Sequence, residues 1–289
     1  MTNQTSKEIT QDLNKTLSKP FRFSTPFPKA EKDSARRKFR ESDNIGTSDI
    51  VLVVPCYNEA ERFPIKGYSR LLEDDRISLR LVDDGSNDST KALLDQFAAN
   101  YSDRVAVDSM VKNRGKGEAV RSGMLAALDQ NPEIVGFIDA DLPIPAKEMG
   151  RLVDTIINRN LAVVMGSRVA LLGSNIERTF VRHILSRVFA TLASFALKLT
   201  VYDTQCGAKV FRDTPSLRAA LAKPFRSRWA FDVELLGRLL REGTNPNHEM
   251  AEVPLRQCIN PSGSKLGTFE MVKACIDLAK TAFEHRRSS

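Results

Sequence analysis

Two aspartates one residue apart, Asp139 and Asp141, stand directly after the apolar run Ile134–Ile138. Carboxylates at this spacing can share one hard divalent cation, and Mg²⁺ or Mn²⁺ suits carboxylate and phosphate oxygens together. The alternative for Asp141 is to cap a following helix. Asn58-Glu59 and Asp83-Asp84-Gly85-Ser86 follow two other apolar runs. Carboxylates there can accept hydrogen bonds from a ribose or a base edge; Glu59 and Asp83 read as binding residues, Asn87 and Asp88 as caps of the next helix. Asn113-Arg114-Gly115-Lys116-Gly117-Glu118 opens a helix. Its glycines allow close backbone approach, and a helix N-terminus attracts anions, so Lys116 and Arg121 could assist a diphosphate. An ordinary helix cap is the alternative, and neither a GxxxxGK[ST] loop nor a strand followed by GxGxxG is present. Arg182 and Ser186, four residues apart, share a helical face. With Arg168 they could hold a phosphate dianion through two guanidiniums and a hydroxyl, or simply form a solvated basic face. Asp232 and Glu234 open a later helix behind Arg228-Trp229 and are the candidate general bases, should the chemistry need one; Asp232 could equally cap that helix or hold a loop.

These groups need a frame that brings them together. Ile50–Val54, Leu79–Val82, Arg104–Val107, Ile134–Ile138 and Leu161–Met165 read as strands. Helical stretches, at about Ala60–Leu72, Ser89–Asn100, Lys116–Asp129 and Ala146–Asn158, alternate with them. Such alternation implies an α/β fold: a mostly parallel sheet with helices on both faces, which binds ligands beyond the carboxyl ends of its strands. Asn58-Glu59, Asp83-Asp84, Asp139-Ala140-Asp141 and Ser167-Arg168 sit at those ends. Beyond Arg168 the pattern changes to a long helix over Glu177–Leu199, a loop at Tyr202–Gly207 and a short strand over Ala208–Phe211. Two helices (Ser216–Ala222 and Phe231–Glu242), a strand near Glu249–Leu255 and a final amphipathic helix over Phe269–Phe283 complete it.

The chain has 289 residues, with 43 Lys and Arg against 36 Asp and Glu, a net charge of +7. Its 42% hydrophobic and 27% charged residues are ordinary for a folded soluble protein and exclude a disordered or collagenous chain. Val188–Leu197 is too short to span a bilayer, which needs roughly 20 apolar residues. No N-terminal stretch has a signal-peptide core. Cys56, Cys206, Cys258 and Cys275 are scattered without metal-ligand spacing, so a zinc site or a disulfide framework is not expected and a reducing cytoplasm is. Residues 1–48 are polar, then Pro-containing, then mixed in charge, and read as a flexible polar and basic tail. A single domain is expected over residues 49–260, with a nucleotide-binding half at 49–168 and an acceptor half at 169–260, followed by a C-terminal amphipathic segment at 261–289. Basic residues interleaved with acids, without an aromatic platform, argue against nucleic acid. Only His183, His248 and His285 exist, none in a nucleophile motif, which argues against a His-based hydrolase.

Taken together, these motifs resemble family 2 glycosyltransferases of the GT-A fold. Val53-Val54-Pro55-Cys56-Tyr57-Asn58-Glu59 looks like their first strand, Asp83-Asp84-Gly85-Ser86 their second and Asp139-Ala140-Asp141 their metal motif. Within that family the likeness is to dolichyl-phosphate β-glucosyltransferases and bacterial relatives. It is carried by Asn113–Arg121, Asp203-Thr204-Gln205-Cys206-Gly207, Arg228–Leu236 and Gly263-Ser264-Lys265-Leu266.

The resemblance implies a nucleotide-sugar donor, UDP-glucose, with base and ribose near Pro55, Tyr57, Glu59, Asp83 and Asp84. Its diphosphate would lie by Lys116 and a Mg²⁺ or Mn²⁺ ion on Asp139 and Asp141. The acceptor is a polyprenyl phosphate, its phosphate held by Arg168, Arg182 and Ser186, with Gln205, Trp229 and Lys265 nearby. Asp141, Asp232 and Arg168 would carry catalysis, with inversion at the anomeric carbon. A phosphate monoester, already ionised, needs no general base. The competing reading keeps the fold but uses UDP-GlcNAc or GDP-mannose as donor, or a sugar or protein hydroxyl as acceptor with Asp232 as base. A nucleotide-sugar pyrophosphorylase would need a Gly-rich loop where Cys56-Tyr57-Asn58-Glu59 stands, and a non-catalytic module would tolerate loss of the two metal-motif aspartates. Two departures are visible. Pro143 stands where many mannose synthases offer a polar residue to the metal. The N-terminal membrane helix of the eukaryotic enzymes is absent, so a cytoplasmic chain docked peripherally on a membrane is expected.

Overall fold

The computed structural model describes residues 49–169, 175–176, 180–227 and 230–258, and the side chains of these except at 175–176 and 180–186. Expectations for the tail, for Trp229 and Lys265, and for the C-terminal helix lie outside the described residues.

The strands form where continuous apolar runs were found: β1 (Ile50–Cys56), β2 (Ile77–Asp83), β3 (Val105–Ser109), β4 (Ile134–Ile138) and β5 (Val163–Ser167). Between them lie α1 (Ile65–Leu71), α2 (Thr90–Ala99), α3 (Lys116–Leu128) and α4 (Ala146–Asn158). Then follow β6 (Asn175–Ile176), α5 (Phe180–Leu197), β7 (Ala208–Arg212), α6 (Pro215–Leu221), α7 (Phe231–Arg241), α8 (Pro246–Glu249), β8 (Met250–Pro254) and β9 (Gln257–Cys258). The first helix starts five residues later than its apolar pattern suggests. Glu59 O accepts from Arg62 N and Phe63 N in a turn, and Pro64 disfavours helical backbone at the residue before it.

Seven strands form one sheet in the order β3-β2-β1-β4-β7-β5-β8. All neighbours are parallel except β7, which runs antiparallel to both β4 and β5. Strands buried on both faces read as unbroken apolar runs, and the period of two assigns each residue a face. In β1, Ile50, Leu52, Val54 and Cys56 enter one core with Tyr68, Leu94, Phe97 and Met149. Val51 and Val53 enter the other with Val120, Met124, Leu217 and Phe231. A third cluster, Phe189, Ala193, Ala230 and Val233, packs α5 on α7.

The reversed strand matters for the site. Ala208 pairs with Ile138, so the start of β7 lies at the same sheet edge as the ends of β1, β2, β4 and β5. The loop Tyr202–Gly207 is thereby delivered beside Asp139.

Candidate active site

The two loops at the first strand ends are stitched together. Asn58, with φ 51°, turns the chain after β1; its N–H donates to Ser86 Oγ (3.0 Å), and its Oδ1 accepts from Asn87 N (2.9 Å). Glu59 N donates to Thr90 Oγ1 at 2.8 Å. Glu59 is buried and grips Arg62, with both carboxylate oxygens 2.7 Å from Nη2. Asp83, also buried, accepts from Ser86 N at 3.1 Å. Pro55 and Tyr57 are half-buried on the same edge. Asp88 Oδ1 accepts from Thr90 N, but the N-cap of α2 is Ser89 and Asn87 faces the Asn58 loop, so neither Asn87 nor Asp88 is the cap their position suggests.

Asp84 turns the other way. Its Oδ1 accepts from Arg114 N (2.7 Å) and its Oδ2 from Gly115 N (2.8 Å). Both donors lie in the turn that opens α3, directly before Lys116. Gly85 and Gly115 adopt φ of 67° and 94°, where a side chain is strained. A Cβ on Gly85 would also meet the backbone of Lys112 and Asn113. Arg121 does not face the edge: its nitrogens donate to Glu118 and to Leu221 O. Glu234 likewise binds Arg226 N, Ser227 N and Arg238.

Asp139 is held on three sides. The Tyr68 hydroxyl donates to its carbonyl at 2.9 Å. Its N–H donates to Gly207 O at 2.9 Å. Its carboxylate lies where a Cβ on residue 207 would be, 2.0 Å from that position. Lys116 Nζ forms an ion pair with Asp139 Oδ1 at 2.5 Å. Asp141 does not cap α4, which begins at Ala146 behind Pro145. The chain turns between them through Leu142 at φ 45°. Burial, then the charges of Asp139 and Glu59, raise the Asp141 carboxyl above its ordinary range. Burial works against the Lys116 charge, but Asp139 and then Asp232 outweigh it and raise its pKa. Asp141 is repelled by the Asp139 and Glu59 carboxylates, and such repulsion is what a divalent cation would relieve. Among the described residues no three His, Cys, Asp or Glu side chains converge as ligands. The residues fit a two-carboxylate site completed by substrate phosphate and water, as Mg²⁺ tolerates.

Arg168 follows β5. Its Nε and Nη2 bind the two oxygens of Asp203 at 2.7 and 2.9 Å, and its own N–H donates to Asp203 Oδ2 at 3.0 Å. Burial opposes its charge, but the Asp203 pair holds its pKa well above the ordinary arginine value. Glu252 on β8 accepts from Tyr202 N and Asp203 N at 2.9 and 2.8 Å. Gln205 is half-buried in this loop. Arg182 and Ser186 fall on α5, with side chains outside the described residues, as is Trp229. Asp232, at the start of α7, is paired with Lys209 Nζ at 2.6 Å. Burial pushes the Cys206 thiol up to about 12, so it is no nucleophile.

Sequence reasoning gave no role to Tyr68, Asp203 or Lys209. Asp203 opens the Asp203–Gly207 block and Lys209 follows it, but Tyr68 carries no sequence signal.

Residues 51–216 match the Glycosyl transferase family 2 model. The chain belongs to this family. Relatives include a dolichyl-phosphate beta-glucosyltransferase from Homo sapiens, 33% identical over 66% of this chain and 62% of that protein. Another of that name, from Dictyostelium discoideum, is 34% identical over 84% of this chain and 76% of that protein. The chain thus spans only 62% of the human relative's length. Among solved structures, glucosyl-3-phosphoglycerate synthase from Mycobacterium tuberculosis, in complex with Mn²⁺, UDP-glucose and phosphoglyceric acid, is similar. It has a TM-score of 0.57 and 22% identity, and the match covers 81% of this chain and 79% of that one. The fold shared with this family is the GT-A arrangement expected from the motifs.

Proposed function

We propose that the chain transfers glucose from UDP-glucose to a polyprenyl phosphate, dolichyl phosphate in the relatives' names, with inversion at the anomeric carbon. One observation carries this reading over a hydroxyl acceptor. Asp232, the carboxylate considered as a base, has an ammonium 2.6 Å from Oδ1, whereas an arginine stands oriented at the neighbouring strand end. A phosphate acceptor needs orientation and charge, not deprotonation.

Asp83 and Glu59 would take the uridine, and Lys116 the diphosphate. Asp139 and Asp141 would hold magnesium or manganese, which when bound supplies charge stabilisation to the departing diphosphate. Arg168 holds the acceptor phosphate so that one oxygen faces the anomeric carbon. The new bond joins that oxygen to the sugar, the bond to UDP breaks, and no proton need move. Arg182, Ser186, Gln205, Trp229 and Lys265 complete the acceptor side in this reading. A lipid acceptor also calls for a peripheral membrane contact at the cytoplasmic face. Val188, Phe195 and Tyr202 leave apolar area exposed on and after α5, next to Arg187, which donates to Tyr202 O at 2.6 Å. Among the described residues no helix is long and apolar enough to cross a membrane.

The test is a matrix of UDP-glucose, UDP-GlcNAc, UDP-galactose and GDP-mannose, with and without a short polyprenyl phosphate, following nucleotide release. Lipid-dependent UDP release from UDP-glucose, abolished by EDTA and by Asp141→Ala, is the expected result. Turnover indifferent to the lipid phosphate would sink the reading and point to a hydroxyl acceptor.

A further inference from the structure

Lys209 has no exposed surface, although it is a lysine on β7, inside the sheet between β4 and β5. Three groups surround its ammonium. Asp232 Oδ1 and Cys206 O each accept from Nζ at 2.6 Å, and the Phe137 ring lies 5.1 Å away. Its contacts form a closed circuit. Lys209 holds the Cys206 carbonyl; the next residue, Gly207, accepts from Asp139 N and forms the floor under the Asp139 carboxylate. Asp139 pairs with Lys116. Lys116 packs over the Phe231 ring at 5.8 Å, beside Asp232, which returns to Lys209. Charge alternates around this ring: Asp139, Lys116, Asp232, Lys209.

A buried ion pair seldom contributes net stability over apolar residues of similar volume. One placed here does something else: it fixes a loop carbonyl one residue from the backbone that seats a metal-motif carboxylate. We propose that Lys209, with Asp232 as its partner, is a positioning residue for the Asp139-Ala140-Asp141 cation site, and that Asp232 is a structural anion there rather than a general base. This inference rests on the sugar-transfer reading of the site, but its test reads cation binding separately from transfer.

Lys209→Met alone leaves Asp232 buried without its cation, so loss of fold is expected. The informative variant is K209M/D232L, which removes both charges at similar volume. Mn²⁺ affinity is read by electron paramagnetic resonance and UMP affinity by calorimetry. Loss of groups that orient metal ligands typically costs about 10–100-fold in metal affinity. The double variant should therefore keep its melting temperature and UMP affinity and lose Mn²⁺ affinity by about that factor. A folded double variant that binds Mn²⁺ within about threefold of the parent overturns the proposal, since that lies below the effect of an orienting partner.

Asp232→Asn is the second arm and decides alone if the double variant does not fold. Weakened Mn²⁺ binding with partial turnover supports the proposal. Abolished turnover with unchanged Mn²⁺ affinity overturns it and makes Asp232 a base. A parent protein that binds Mn²⁺ and UMP yet transfers no sugar removes the transfer reading alone.

Discussion

Asp139 illustrates how one side chain is made competent by residues around it. Gly207 is glycine because the Asp139 carboxylate occupies the space a Cβ would need, 2.0 Å from Oδ2. Gly207→Ala must push that carboxylate aside. The expected outcome is a loss of about 10–100-fold in Mn²⁺ affinity and kcat/KM, with UMP binding retained; wild-type kinetics in this variant would show that the carboxylate is not held where described. Arg168 is a second case. Asp203 binds it in a fork geometry that Lys cannot reproduce. Arg168→Lys should raise KM for the lipid phosphate at least several-fold and leave KM for UDP-glucose near the parent value, as steady-state kinetics would reveal.

At the scale of elements, the entry to α3 and the loop before β7 are held by carboxylates, Asp84 buried and Glu252 half-buried. Asp84→Ala strips Arg114 N and Gly115 N of their acceptor. Stranding such groups costs about 1–3 kcal/mol, so thermal unfolding should move down and UDP affinity should fall as Lys116 loses its footing. Glu252 ties β8 to the Tyr202–Asp203 loop. Burial is the largest influence on it and raises its pKa above the usual 4.5. A carboxyl whose folded pKa is raised contributes stability that is present below its unfolded pKa and lost as pH rises through the folded value. Glu252→Gln cannot ionise, so its melting temperature relative to the parent should climb as pH rises above the ordinary carboxyl value of 4.5. A parent–variant difference flat in pH would contradict this.

The whole molecule couples the site to stability, because ligands of the folded state stabilise it by mass action. UDP with Mn²⁺ at about a hundred times its dissociation constant should contribute about 2.7 kcal/mol, a rise in melting temperature on the order of 5 °C for a chain of this size. EDTA should remove most of the rise. An EDTA-insensitive shift would mean that Asp139 and Asp141 do not meet the diphosphate through a cation.

Much of this was legible in the chain. Continuous apolar runs closed by Asn58-Glu59, Asp83-Asp84 and Asp139-Ala140-Asp141 declare parallel strands with ligand groups at their ends, because burial on both faces leaves only the ends for polar residues. The bounds of β4 and α4 are those of the sequence pattern. Partnership was not legible. Asp84, Arg121 and Glu234 look like ligand groups in one dimension, yet Asp84 accepts from the turn before α3, Arg121 donates to Glu118 and to Leu221 at the end of α6, and Glu234 accepts from Arg226 N and Arg238. Lys209 looks like an ordinary strand residue, and Tyr68 a core aromatic. Their roles exist only because the sheet order sets β7, antiparallel, between β4 and β5, and because α1 brings its hydroxyl to Asp139. Spacing fixes which residues share a strand end; which charge meets which is decided by contacts between residues far apart in sequence, and those form only when the sheet is assembled.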